Sequence, residues 1–233
     1  MASLTDVKRN NSRARLARPD KATRGAVILL PSAAGFSPFH DNVLNELAGA
    51  GYTALAWDPF LKYGDLSQEE RGKISAEQMK DAEIVVEHRD WVGFLGEQPG
   101  VQTIASLGFC MGGRHAMVLA AEDARVKAAV AFYPTMRDPK PAVAIDLPPA
   151  AAKIAGDVLV HAPGRDHLSS HASFERLWQS LRSRPSGGAT FMNWYPNAHH
   201  GFYGKTAAQD KDDYEAGLLA WPASMAFLKA ALL

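Results

Sequence analysis

The stretch Thr103-Ile104-Ala105-Ser106-Leu107-Gly108-Phe109-Cys110-Met111-Gly112-Gly113-Arg114 decides the fold. Thr103 to Leu107 reads as a short buried strand, and Arg114 to Glu122 as a helix with Ala116, Met117, Leu119 and Ala120 available to a core. Between them lies G-x-C-x-G-G, a strand–turn–helix junction that lifts Cys110 above the end of a sheet. Glycines two residues either side of the cysteine remove the Cβ atoms that would collide in so tight a bend. The thiol suits this place because helix N-terminal amides and the positive end of the helix dipole favour a thiolate.

Working outward, apolar β-rich runs alternate with segments of helical period, which predicts an α/β fold: a mostly parallel central sheet with helices on both faces. Ala26 to Leu30, Tyr52 to Trp57, Ala128 to Phe132 and Val158 to Val160 read as further strands, and Ala14 to Ala17 as an opening strand. Helices are expected over Asn42 to Ala50, from Glu77 to the break at Gln98-Pro99-Gly100, and over Ser173 to Arg182. Residues 61–75 and the proline-rich 134–149 read as irregular, and Ala216 to Leu228 as a helix packed on the core. With no internal repeat or linker, the 233 residues are expected to form a single domain, 1–233, in which residues 1–24 make a basic arm leading into the first strands.

Composition excludes several classes of partner. Lysine and arginine total 25, as do aspartate and glutamate, so no global field draws the chain to nucleic acid or to an acidic membrane surface. A small neutral or locally charged molecule is the expected partner. The stretch 216–228 is shorter than the ~20 residues of a membrane span and contains Pro222. Lys8, Arg9, Arg13, Arg15, Arg18, Lys21 and Arg24 surround no apolar core, which argues against a secretory signal and makes the cytoplasm the default compartment. A single cysteine excludes an internal disulfide and suits a reducing environment.

A nucleophile needs a base and an acid to orient that base. Gly164-Arg165-Asp166-His167 places a carboxylate just beyond the strand at Val158, where reactive groups collect in open α/β sheets. Tyr195-Pro196-Asn197-Ala198-His199-His200-Gly201-Phe202 places two adjacent histidines in what reads as a loop before the last helix. Only one imidazole can face Cys110, and these residues alone favour His200 weakly, through the freedom of Gly201. Oxyanion donors are expected from the Met111 amide and from the loop after the first core strand, near Ala33. His161, His167, His171, His199 and His200 are dense enough to raise a metal site as a rival, although no zinc-type motif frames them.

These strings, with Phe132-Tyr133-Pro134, resemble the dienelactone hydrolase family of the α/β-hydrolase fold, over nearly the whole chain from Ala26 to the terminal helix. The resemblance implies cleavage of a small lactone or ester through an acyl-cysteine, with Cys110 as nucleophile, His200 as base and Asp166 as orienting acid. It implies neither a metal nor an organic cofactor. In the family the last string usually reads Y-P-x-A-x-H-G-F, so its histidine falls on His200. Tyr133 becomes a candidate for the substrate site, though a buried tyrosine ending a strand is an equally ordinary reading. Two departures bear on substrate. The family's glutamate before the oxyanion loop is here Ser32, and its arginine after the histidine gives way to Phe202-Tyr203-Gly204-Lys205. Lys205 and Arg71 are therefore the candidate grips for a substrate anion. The alternatives are a general carboxylesterase or thioesterase of this fold, or a scaffold that binds without catalysis.

Overall fold

A computed structural model describes residues 3–10, 12–21, 24–137, 140, 142–185 and 187–232. Its centre is a sheet in the order β1-β2-β4-β3-β5-β6-β7-β8. The strands are β1 Leu4–Arg9, β2 Ser12–Ala17, β3 Gly25–Leu30, β4 Thr53–Trp57, β5 Thr103–Phe109, β6 Val126–Phe132, β7 Asp157–Arg165 and β8 Thr190–His199. β4 to β8 run parallel with β3, whereas β1 and β2 form an antiparallel hairpin added along β4. The arginines of the basic arm are structural: Arg13 pairs with Asp58, Arg15 with Asp6 and Asp41, and Arg9 with Asp90 and Glu97.

β3 is buried along its whole length, which is why its sequence is uniformly apolar rather than alternating. Successive side chains still part to opposite faces. Ala26, Ile28 and Leu30 join one core, and Val27 and Leu29 the other. The first core is covered by α3 Asp81–Gly96, α4 Met111–Glu122, α5 Leu147–Ala151 and α6 His171–Arg182. The second is covered by α1 Pro38–Gly49 and α7 Lys211–Leu232. α7 continues through Pro222, whose ring denies a partner to the carbonyl of Leu218, four residues back on an exposed part of the helix. Among the described residues no helix is long and apolar enough to cross a membrane.

Three segments differ from the sequence expectation. α2, Gln68–Glu77, lies where irregular chain was expected; Ser67 and Glu70 close a reciprocal capping box there, and the helix buries only Ser75. α5 begins inside the proline-rich segment, with Pro148 and Pro149 in its first turn, where proline's missing N–H does no harm. β8 carries the chain to His199, so the histidine pair stands at a strand end rather than within a loop.

β3 connects to β4 on one side and lies against β5 on the other, so the chain reverses its winding there. A crevice opens at such a point, at the carboxyl ends of the strands. Cys110 occupies it.

Candidate active site

Strand register assembles the site. Leu30 pairs with Gly108, which brings the loop after β3 beside the end of β5. Phe109 pairs with Phe132, which puts Cys110 next to Tyr133. Arg165 pairs with His199, so the residues that follow, Asp166 and His200, emerge side by side.

Cys110 has φ 59° and ψ −117°, a strained left-handed conformation for a residue with a Cβ. Its surroundings hold it there. The Cys110 amide donates to the Phe132 carbonyl at 3.0 Å, and its own carbonyl accepts from the Arg114 and Thr135 amides at 3.2 and 3.3 Å. A Cβ at Gly108 would run into the Gly112 backbone, and one at Gly112 into the Leu30 carbonyl, so both glycines are required by close approach of main chains. Strain of this kind costs about 1–3 kcal/mol and persists where packing over-determines it.

Asp166 divides its two oxygens between two tasks. Oδ1 accepts from the Leu168 and Ser169 amides at 2.7 and 3.0 Å, fixing the turn that leads to α6. Oδ2 accepts from His200 Nδ1 at 2.8 Å. The helix cap itself is Ser170, so the carboxylate is not consumed in capping. The His200 side chain is only 8% exposed and its Nε2 makes no hydrogen bond, which leaves that nitrogen facing the site with its lone pair or proton unused. Burial works against a charge on His200. The hydrogen bond and charge of Asp166 and the nearness of Cys110 outweigh it, pushing the pKa up to about 9.

The neighbouring His199 faces elsewhere. Its side chain is 44% exposed, its amide donates to Asp213 Oδ1 at 2.7 Å, and Nδ1 lies 3.4 Å from both Asp210 and Asp213 at the start of α7. The five histidines that suggested a metal site do not converge. His161 is fully buried between Tyr195 Oη at 3.0 Å and Ser224 Oγ at 2.8 Å, His167 packs edge-on against the His200 ring, and His171 pairs with Glu175. Of the five, His199 belongs to a group with metal-ligand spacing, and its companions are Asp210 and Asp213 rather than other histidines.

Ala33, Cys110 and Met111 line one cavity of about 130 Å³. Met111 opens α4, where the first amides have no intrahelical acceptor. In the turn at Ser32 to Gly35 the Gly35 and Ala34 amides bond back to Ser32, leaving the Ala33 amide outside the turn's own bonds. Ser32, Tyr133, Arg71 and Lys205 do not line this cavity. Ser32 Oγ accepts from the Ala34 amide at 3.3 Å and serves the turn. Arg71 donates from Nη1 to the Ala34 carbonyl at 3.0 Å and stacks over Phe60, so it braces the Ala33 loop from behind. Lys205 lies exposed in a separate groove with Phe39, Tyr203 and Trp221. Tyr133, with φ 37°, stands edge-on to the His200 ring at 5.1 Å and walls that ring rather than the cavity.

Sequence reading missed Arg114. It lies one helical turn beyond Cys110 and lines the same cavity while almost wholly buried. Its guanidinium donates to both oxygens of Asp81 at 2.9 Å and to Thr135 Oγ1 at 2.7 Å. Asp81 also accepts from His115 and the Ile145 amide. Burial opposes its charge, but His115 and Arg114 hold the carboxyl below the usual range. The signal was present: an arginine on an otherwise apolar helix face, four residues after the cysteine.

A strained strand-to-helix turn at the crevice of a mostly parallel sheet, with an imidazole and a carboxylate delivered from later strand ends, defines an α/β hydrolase. The profile of the dienelactone hydrolase family matches residues 12–232, and the chain belongs to that family. A carboxymethylenebutenolidase of Rhodococcus opacus is 28% identical over 219 residues, covering 91% of this chain and 84% of that one. Among solved structures, a dienelactone hydrolase-like promiscuous phosphotriesterase from metagenomic libraries superposes with TM-score 0.78 at 21% identity, covering 100% of both chains.

Proposed function

We propose that the protein hydrolyses a small lactone or ester through an acyl-cysteine intermediate formed on Cys110. The observation that carries this reading is the single chain of contact in which Asp166 holds His200 by Nδ1 and leaves Nε2 unpartnered beside Cys110. A cavity of about 130 Å³ suits one small ring, since an engineered apolar cavity of ~150 Å³ accommodates benzene. The butenolidase activity named for the Rhodococcus relative is of the same kind.

The chemistry follows from the two states of His200. With His200 protonated, the Cys110 thiolate attacks the carbonyl carbon, and the new oxyanion takes hydrogen bonds from the Met111 and Ala33 amides. The C–O bond breaks as Nε2 gives its proton to the leaving oxygen. The sulfur's charge is now consumed in the thioester, so one of the two groups that raise the His200 pKa is gone. The imidazole becomes free to take a proton from water, whose oxygen attacks the thioester and releases the thiolate. One group thus serves as acid and then as base.

Brief exposure of the protein to a panel of lactones and activated esters, followed by intact-mass measurement, tests the reading. An acyl mass increment that vanishes in Cys110→Ala is expected, and turnover without any adduct on Cys110 would refute it. A second expectation concerns pH. Because His200 holds its proton up to about pH 9, kcat/KM on alkyl esters should fall as pH rises through that value, when the leaving alkoxide loses its proton donor. Nitrophenyl esters, whose leaving group needs no proton, should show little of this fall. A shared alkaline limb for both substrates would contradict the role given to His200.

A further inference from the structure

Resting on the reading of Cys110 as nucleophile and of the Met111 amide as an oxyanion donor, we propose that Thr135 is a positioning residue for the reaction. Held by the buried pair Asp81 and Arg114 on one side and by Ser169 on the other, it aims the Met111 N–H at the reacting carbonyl. The peptide unit between Cys110 and Met111 is planar and trans, so its carbonyl and its N–H point in opposite directions. Whatever fixes the Cys110 carbonyl therefore fixes the Met111 N–H. Two amides do so. Arg114 N–H, one turn along α4, donates to that carbonyl at 3.2 Å in the ordinary helical manner, and Thr135 N–H donates at 3.3 Å from the segment after β6. A single bond leaves a peptide plane able to rotate about it. A second, from another element, removes that freedom.

Thr135 is itself clamped on both flanks. Ser169 Oγ accepts from the Met136 amide at 2.8 Å and donates to the Pro134 carbonyl at 3.0 Å, so the two neighbours of Thr135 close on one buried hydroxyl. The Ser169 amide donates at 3.0 Å to Asp166 Oδ1, which ties this segment to the acid that orients His200. The Thr135 side chain is held as well, its Oγ1 accepting from Arg114 Nη1 at 2.7 Å. Arg114 cannot swing away, because Nε and Nη2 donate in parallel to the two oxygens of Asp81, both at 2.9 Å.

Asp81 takes two further donors, His115 Nε2 at 3.0 Å and the Ile145 amide at 2.8 Å, and its own amide donates to the Val143 carbonyl at 2.9 Å. One buried carboxylate thus orders Arg114, Thr135 and the 143–145 segment, and Arg114, Thr135, Val143 and Ala144 are all walls of the cavity at Cys110. A buried ion pair is weak as a source of stability, since apolar residues of like volume often do as well. What they cannot supply is a directed donor for Thr135 Oγ1. The protonation of Cys110 belongs to His200 and Asp166, which the Thr135 hydroxyl does not contact. Loss of the brace should therefore weaken oxyanion stabilisation and leave thiolate reactivity intact.

Two reactions of the same sulfur separate these effects. Thr135→Val removes the hydroxyl and keeps the amide, Thr135→Ser keeps both, and Arg114→Lys retains the charge opposite Asp81 but loses the fork that reaches Thr135. With 4-nitrophenyl acetate, Thr135→Val and Arg114→Lys should lower kcat and single-turnover acylation about 10- to 100-fold, because deleting a whole oxyanion donor costs ~10²–10³ and this one is misaimed rather than removed. KM should stay near wild type, since acylation and deacylation both pass through an oxyanion. Thr135→Ser should keep most of the rate. Alkylation by iodoacetamide attacks a saturated carbon and forms no oxyanion, so its rate and pH profile should match wild type in all three variants. Ser169→Ala releases the segment from the other flank without touching the ion pair. It should show the same split, and it keeps the test available if the Arg114 variant fails to fold.

Parallel losses in ester turnover and alkylation would make Thr135 a structural residue only and overturn the proposal, as would an unchanged kcat in Thr135→Val. Intact-mass measurement of wild type separates this from the reading beneath it. Turnover without an acyl adduct on Cys110 would refute the nucleophile and the brace together, whereas an adduct in wild type with rates unaltered by Thr135→Val would overturn the positioning role alone.

Discussion

His200→Ala is expected to lower kcat/KM by about three to four orders of magnitude, while His199→Ala stays within about tenfold of wild type. The two imidazoles are adjacent in the chain and leave the end of β8 in opposite directions. His200 is almost buried, bonded through Nδ1 to Asp166, and its pKa is raised by the groups it would serve. His199 is half exposed and stands against Asp210 and Asp213. Removing His200 takes away the proton donor for the leaving group and the base for thioester hydrolysis, so both halves of the reaction suffer. Removing His199 weakens a contact between β8 and α7, an effect to be sought in thermal stability. Steady-state rates on one alkyl ester decide the matter, and the reverse ranking would move the base one residue.

How far the site was legible in sequence follows from how local each requirement is. The elbow was legible because its constraint lies within six residues: a cysteine at positive φ needs small neighbours, and Gly108 and Gly112 are where main chains touch. Asp166 was legible as a candidate because it follows a strand, and His200 because the string Tyr195 to Phe202 resembles the family's. Their meeting rests on the pairing of Arg165 with His199, which no local pattern encodes. Tyr195 to His199 read as loop because Pro196 and Asn197 disfavour a strand. That segment lies in β8 at the edge of the sheet, where a missing ladder donor is tolerated. Lys205 was chosen because it stands near where the family carries an arginine, and Arg71 as a cation in the polar loop. The chain carries one into a different groove and uses the other to brace a turn. Charge was thus readable everywhere, and its address nowhere.

Asp166→Asn separates orientation from folding, and a loss of about four orders of magnitude in kcat/KM is expected with the fold retained. The two oxygens of Asp166 meet different partners. The asparagine oxygen can keep the Leu168 and Ser169 amides, which donate at 2.7 and 3.0 Å, so the turn into α6 survives. Its NH2 then replaces Oδ2 and faces His200 Nδ1, 2.8 Å away in the wild type. A donor there obliges Nδ1 to accept, which places the ring proton on Nε2 and leaves that nitrogen unable to take a proton from water. Flipping the amide would restore an acceptor to His200, but it would aim NH2 at two backbone donors. Leaving those unpaired costs about 1–3 kcal/mol each, so the unflipped form prevails. The substitution also removes one of the two groups that raise His200, and its pKa should fall from about 9 toward the ordinary histidine range. NMR titration of the imidazole, circular dichroism and steady-state rates give the three readings. Unfolding would show that the carboxylate's chief task is the turn. Activity within tenfold of wild type would remove Asp166 from the mechanism.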